Sequence, residues 1–265
     1  MTTTAEPRTP RRVDPRIAER RTAVTRTAGR RRLRVILVIL ALIALAGVGW
    51  VLTRSPLLDV DQIDVQGTER TSPADVLGAV GIDRGDPILY VDTGAATARV
   101  EALPWVSEAS VSRRLPDRVV VRVEERIAAG WIRIDDETVA IVDGTGRVLE
   151  DDAPTSLYIP ELRGVGSTTP VAGETLEDTA GAAVAASLPE QLLARVAAVS
   201  TDGDGTDVRI GLTAGGEVRL GDPDAVDVDD ALAAAVAVLD SLGERVVAYV
   251  DVRVPSAPVV GPAPG

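Results

Sequence analysis

Nineteen consecutive residues, Val35 to Thr53 (VILVILALIALAGVGWVLT), carry no charge and are bounded by Arg34 and Arg54. As a helix they rise about 28 Å, close to the hydrocarbon thickness of a bilayer. The core helix of a soluble protein normally keeps a polar face, and this stretch has none. Trp50 sits near one end, where an indole lies at headgroup level. The sequence therefore reads as a single membrane span over 35–53, which divides the chain into two parts of different character.

Charge follows that division. Residues 1–34 hold eleven Arg against Glu6, Asp14 and Glu19, a net of +8 in a chain of −12, so the remainder carries −20. Basic residues beside a span stay cytoplasmic. The N-terminus is expected inside and the C-terminal part outside the cytoplasm. A cleaved leader ending at Ala44-Leu45-Ala46 is the competing reading. The apolar run continues past that point as GVGWVL, and 34 residues are long for a leader's basic region. Residues 1–34, rich in Arg, Thr and Pro, are expected to be a disordered basic cytoplasmic tail. Such a tail could bind nucleic acid. Next to a span, its simpler roles are to fix topology and touch anionic lipid, and no nucleic-acid partner is assigned.

Composition removes much chemistry from the outer part. The chain has no Cys and no His, and all 28 basic residues are Arg. No disulfide, Ser-His-Asp triad, imidazole metal site, Schiff-base lysine or phosphate-loop lysine can form. Carboxylates, hydroxyls and arginines remain, so no enzyme, no metal and no cofactor is expected. With no Phe, the cores must be built from Val, Leu, Ile and Ala.

After Ser55-Pro56 the pattern shortens. Leu57–Gln66 reads as a strand that stops at Gly67. Ser72-Pro73 starts a short helix ending near Gly81, Gly85-Asp86-Pro87 is a turn, and a second helix runs over Thr93–Ala102. Strands follow at Val106–Arg113 and Arg118–Glu125, joined by Leu115-Pro116-Asp117. Val119, Val121 and Val123 share one strand face. Strand, helix, helix, strand, strand closes as a small sheet with both helices on one side. Beyond it, Trp131–Ile134 and Thr138–Val142 form a hairpin, and Val148-Leu149 resumes a strand. A helix is expected from Asp178 to Leu188, a hairpin over Ala214-Gly215-Gly216, and a helix along Val228, Leu232, Ala235, Leu239 and Leu242. A last strand, Val246–Val254, should place Val246, Ala248, Val250, Val252 and Val254 on one face. PSAPVVGPAPG, residues 255–265, reads as a disordered tail. The fold class is α+β.

The segment LPWVSEASVSRRLPDRVVVRVEER, Leu103 to Arg126, resembles the POTRA domain of the FtsQ/DivIB family of bacterial division proteins. Gly85, Pro104, Trp105, Arg113 and Pro116 carry the motif, with Glu125-Arg126. Ala128 replaces a Pro common in the family. Ile159–Gly164 and Tyr249–Arg253 resemble later family segments, while a Lys frequent near Asp229 is absent. The resemblance implies a basic tail (1–34), a span (35–53), a POTRA domain (57–126, β-α-α-β-β), a β-rich domain with helices on one side (127–254) and a tail (255–265). It implies a bitopic scaffold at the division septum of the cell membrane. Its partners would be FtsB/DivIC-like and FtsL-like proteins and, through them, FtsW and FtsI, so that septal peptidoglycan synthesis is controlled. Partner binding by strand addition is expected beside the last strand, at Tyr249, Arg253, Val254, Pro255 and Ser256.

Other candidates weigh less. Glu124-Glu125 and Asp135-Asp136-Glu137 could supply the carboxylate pair of a membrane-anchored cell-wall hydrolase, the alternative function. Neighbours on a strand point to opposite faces, however, and an acidic turn explains the second group. Thr201–Asp207 lacks the spacing of a calcium loop. Trp105 could anchor a ligand, but packing in the POTRA core explains it more simply.

Overall fold

The computed structural model describes residues 15–53, 58–154, 158–166, 169–243 and 245–262. The chain falls into two units, one ending at Asp59 and one beginning at Val60.

The first unit is one helix, α1 (Pro15–Thr53). Its segment Arg32–Val51 has a mean hydropathy of 2.5, and none of it is buried by protein. Leu40, Ile43 and Leu45 are each about two-thirds exposed. Such a surface needs an apolar solvent, and this is the one helix among the described residues long and apolar enough to cross a membrane. The expected disorder of residues 1–34 is corrected from Pro15 onward. Once the apolar helix exists, extending it backward through Arg, Ala and Glu carries no nucleation cost, and Pro15 suits a first helical position. Residues 1–14 lie outside the described residues.

The second unit contains two modules. The first runs β1 (Gln62–Gln66), α2 (Pro73–Val80), a 3₁₀ turn at Ile88–Tyr90, α3 (Thr93–Glu101), β2 (Val106–Arg114) and β3 (Arg118–Glu125). Its sheet has the order β1-β3-β2. β1 lies parallel to β3, with Ile63 opposite Val119, and β2 lies antiparallel, with Val111 opposite Val121. Parallel pairing needs a crossover, which α2, α3 and β2 supply. The Ser72 side chain accepts from Ala74 N–H to cap α2, and the Asp92 side chain accepts from Ala95 N–H to cap α3. Val76, Val80, Ala96 and Val100 of the helices are buried together with Val119, Val121 and Val123 of the sheet. β1 is shorter than expected because Val60 and Asp61 are drawn into loops: Val60 N–H bonds Asp86 O at 2.8 Å, and Asp61 N–H bonds Asp117 O at 2.8 Å.

The second module is a nine-stranded mixed sheet in the order β12-β11-β10-β9-β8-β7-β4-β5-β6. Its strands are β4 (Ala128–Arg133), β5 (Thr138–Asp143), β6 (Val148–Pro154), β7 (Glu161–Arg163), β8 (Val196–Ser200), β9 (Val208–Leu212), β10 (Glu217–Gly221), β11 (Val247–Asp251) and β12 (Val259–Pro262). Helices α4 (Ala180–Ala186), α5 (Glu190–Leu193) and α6 (Val228–Leu242) cover one face. Val184, Leu192, Leu232 and Leu239 meet Val199, Ile210, Val218, Leu220 and Val250 there in one core. On the opposite face a smaller cluster, Val139, Ile141, Leu149 and Ala153, packs with Trp131, Ile159 and Trp105.

That contact corrects the reading of Trp105. It is half-buried and lies not in the first module's core but where the two modules meet, with Arg70 stacked over its ring at 5.6 Å. The same junction holds Arg126, which donates to Val106 O at 3.0 Å and to Asp143 Oδ2 at 2.8 Å. Arg147 crosses it as well, donating to Ala102 O at 3.2 Å.

The C-terminal reading is corrected too. β11 is not an edge, because β10 pairs with it on one side and β12 on the other. A bulge between Val247 and Tyr249 breaks the expected alternation, so Val247, Val250 and Val252 are buried while Val246 and Val254 are exposed. The expected tail 255–265 is ordered as far as Pro262, with 263–265 outside the described residues. Two adjacent valines, Val259 and Val260, suffice for a short strand once a partner strand is beside them.

Candidate functional site

The large sheet ends in two edges of different kinds. At β6, the segment 173–176 closes part of the edge: Val148 N–H bonds Glu174 O at 2.8 Å, and Gly173 N–H bonds Val148 O at 2.8 Å. The rest carries Glu150, Asp151, Asp152, Pro154 and register shifts against β5, devices that discourage strand pairing. β12 has none of these charges. It pairs with β11 through Asp251–Val259, Val250–Val260 and Tyr249–Gly261, and no described strand lies on its other side. Val259 and Val260 are 56% and 39% exposed. Gly261 is required here, because a Cβ would stand 2.2 Å from Cε1 of the Tyr249 ring.

Across the sheet from β7 to β11, the face away from the helices carries a repeated pair. Glu161-x-Arg163, Asp207-x-Arg209, Glu217-x-Arg219 and Asp251-x-Arg253 each place a carboxylate and a guanidinium two residues apart on one side of the sheet. Arg163 Nη2 lies 2.5 Å from Glu161 Oε2, Arg219 Nε lies 2.7 Å from Glu217 Oε1, and Arg209 pairs with Asp207. Asp251 accepts from Arg253 N–H at 3.1 Å and from its Nη2 at 2.5 Å. The Arg253 side-chain bonds, opposed by partial burial, hold the Asp251 carboxyl below the usual range, and Asp251 in turn raises Arg253. Arg219 stacks on the Tyr249 ring at 3.9 Å, and Arg133 on Trp131 at 5.0 Å.

The ladder places Arg209 directly opposite Arg219. Like charges in that position repel, and Asp207 and Glu217 beside them offset that repulsion. Each guanidinium keeps N–H groups beyond those its own carboxylate uses. The face thus carries four arginines each paired with a carboxylate, in a part of the chain that carries −20.

The sequence-predicted partner residues fall around this site rather than on its edge. Tyr249 lies inside the sheet, half-buried between Arg219 and Gly261. Arg253, Val254, Pro255 and Ser256 form the connection between β11 and β12, closed by Ala257 N–H to Val254 O at 2.9 Å. The edge residues Val259–Pro262 and the paired Arg209 and Arg219 are not among the sequence-predicted residues. Their sequence signal is a valine pair between two prolines and a twice-repeated acid-x-Arg.

The motif residues of the first module are structural. Gly85 adopts φ 95°, and its N–H bonds Val60 O at 3.0 Å. Arg113 Nη1 donates to Leu89 O at 3.1 Å. Pro104 is half-buried and lies beside Gly173, and Pro116 is exposed in the β2–β3 turn.

The candidate carboxylates have structural partners too. Glu125 accepts from the N–H groups of Glu69 (3.1 Å), Arg70 (2.9 Å) and Thr71 (2.7 Å). Burial raises its pKa, but those bonds together outweigh it and hold it low. Asp135 accepts from Glu137 and Thr138 N–H to close the hairpin. Asp202 accepts from the N–H and hydroxyl of Thr206 within its loop.

Comparison with known proteins fits this architecture. Residues 58–126 match the FtsQ-type POTRA domain, and residues 130–253 match the C-terminal domain of cell division protein FtsQ/DivIB. A cell division protein FtsQ of Anaeromyxobacter sp. is 32% identical over 226 residues, 78% of this chain and 73% of that protein. One from Streptomyces bingchenggensis is 32% identical over 230 residues, 81% of this chain and 80% of that protein. The chain belongs to the FtsQ/DivIB family. A further FtsQ, from Corynebacterium glutamicum, is 37% identical over 119 residues, about half of its length at 52%. The first module is thus the family's POTRA domain, and the large sheet is its C-terminal domain. The C-terminal match stops at Arg253, so β12 lies beyond it.

Proposed function

We propose that this FtsQ-family chain is a bitopic scaffold of the division apparatus, with its N-terminus cytoplasmic and its C-terminal domain held outside at the septum. It catalyses no reaction. An FtsB/DivIC-like protein would add a strand to β12, and a separate acidic segment of it would cross the sheet face at Arg253 and Arg219. An FtsL-like protein would be held through that partner, and the assembly would in turn control FtsW and FtsI. The observation that carries this reading is an uncharged edge at Val259–Gly261 with no described strand on its outer side, short and stopped by Pro262, on a sheet whose other edge is acidic and partly closed. Main-chain bonds along β12 would supply affinity, and the arginines would select the partner.

The test is site-specific photocrosslinking in dividing cells, with the crosslinking residue at Val260 or, as control, at Glu150 on β6. A small single-span division protein should be captured from Val260 and not from Glu150. Capture from Val254–Ser256 alone would replace strand addition with docking on the β11–β12 connection.

A further inference from the structure

The POTRA domain has an exposed apolar pair at the end where the chain comes into it. Asp61 N–H bonds Asp117 O at 2.8 Å, Gly85 N–H bonds Val60 O at 3.0 Å, and Arg113 Nη1 donates to Leu89 O at 3.1 Å. These bonds gather the β2–β3 turn and the 3₁₀ turn around the domain's first residues. Leu115, at the tip of the β2–β3 turn, is 63% exposed, and Tyr90, ending the 3₁₀ turn, is 66% exposed. Pro87 and Pro116 beside them are also exposed.

Covalent reach limits what this end can face. From Thr53, the last residue of α1, to Leu58 there are five peptide steps, which span at most about 18 Å. If α1 crosses a bilayer, its end stays near the interface, and the start of the POTRA domain is tethered within that reach of lipid. A leucine on a turn and a tyrosine with its ring outward are side chains suited to the interfacial zone, apolar in body and, for Tyr, polar at the tip.

We propose that Leu115 and Tyr90 form an interfacial lipid-contact patch through which the POTRA domain rests on the membrane surface. The proposal depends on the reading of α1 as a membrane span. Exposed charge around the patch nearly cancels, with Arg84, Arg113, Arg114 and Arg118 against Asp61, Asp83 and Asp92. The contact is therefore apolar in origin, independent of the anionic lipid fraction and retained at high salt. It would fix the height and tilt of the POTRA domain above the bilayer and leave the β12 edge free.

The natural absence of cysteine makes the test direct. Full-length Leu115→Cys, Tyr90→Cys and, as control, Tyr158→Cys (101% exposed in the C-terminal domain) are labelled with an environment-sensitive dye. Each is reconstituted into vesicles of phosphatidylethanolamine and phosphatidylglycerol, with or without nitroxide-labelled lipid. Dyes at 115 and 90 should be quenched at least twofold by the nitroxide lipid and shielded from aqueous iodide, while the dye at 158 shows the reverse. Equal iodide quenching at all three positions overturns the proposal. So does shielding from iodide without quenching by nitroxide lipid, which would mean that protein covers the patch. Extraction of the chain from vesicles by carbonate would remove the span reading and the proposal together, a result distinct from an inserted chain with an unquenched dye.

Discussion

Asp143 is 3% exposed, and the hydrogen bonds it accepts close the β5–β6 turn and tie that turn to Arg126 at the junction between the POTRA and C-terminal domains. Its Oδ1 takes the N–H and hydroxyl of Thr145 and the N–H of Arg147, and its Oδ2 takes Arg126. Burial raises its pKa, but the Thr145 hydroxyl, the Arg126 guanidinium and the two N–H groups together lower it below the usual value. A carboxylate depressed by folding stabilises the folded state above its unfolded pKa, and that stability is lost as pH falls through the folded value. Glu125 acts in the same direction. The melting temperature of the purified full chain should therefore drop on acidification from about pH 5 toward pH 2. Asp143→Asn should lower it at pH 7 by about 1–3 kcal/mol of stability and flatten that acid limb. An acid limb of wild-type steepness in Asp143→Asn would mean that other carboxylates control it. None of this was legible from sequence. Asp143 is seventeen residues from Arg126 along the chain, and it reads there as the first residue of an ordinary Asp-Gly turn.

Elements were legible in proportion to how locally they are determined. The strands at Val106 and Arg118 and the helices at Pro73, Thr93 and Val228 follow from alternation, caps and apolar spacing within their own residues. β12 does not. VVGP has no alternation to read, follows Pro258 and ends in Pro262, so only β11 beside it makes it a strand. That dependence yields a prediction. Gly261→Leu should force the Tyr249 ring and β12 apart, since even a Cβ meets the ring at 2.2 Å. The expected outcome is faster hydrogen exchange at β11 amides and, on the proposed function, loss of the strand-adding partner, with exchange in β2 and β3 unchanged. Retained partner binding with β12 displaced would place the binding surface on the arginine face alone.

At the scale of the whole molecule, the second unit is two sequence modules, and three side chains stand out among the described contacts that join them. Trp105 from the POTRA domain completes the cluster of Val139, Ile141, Leu149 and Ala153. Arg126 ties Val106 O to Asp143, and Arg147 reaches back to Ala102 O. Sequence marked Trp105 and Arg126 as motif residues and assigned the tryptophan to the POTRA core; the choice between core and junction depends on which cluster the other module presents, which alternation within either module does not contain. Residues on both sides of the junction make these bonds. The two domains should therefore unfold together. Calorimetry of the full chain is expected to give one transition for the second unit. Trp105→Ala removes a half-buried ring, so it should cost about 1–3 kcal/mol, less than the ~3–5 of a fully buried one. Combined with Arg126→Ala it also strands the buried Asp143 carboxylate without its cation, which is costly. The double variant should split the endotherm in two, with the POTRA domain melting first because its core is the smaller. A single wild-type-like transition in the double variant would locate the coupling elsewhere, in the Arg147–Ala102 bond and the packing of Pro104 beside Gly173.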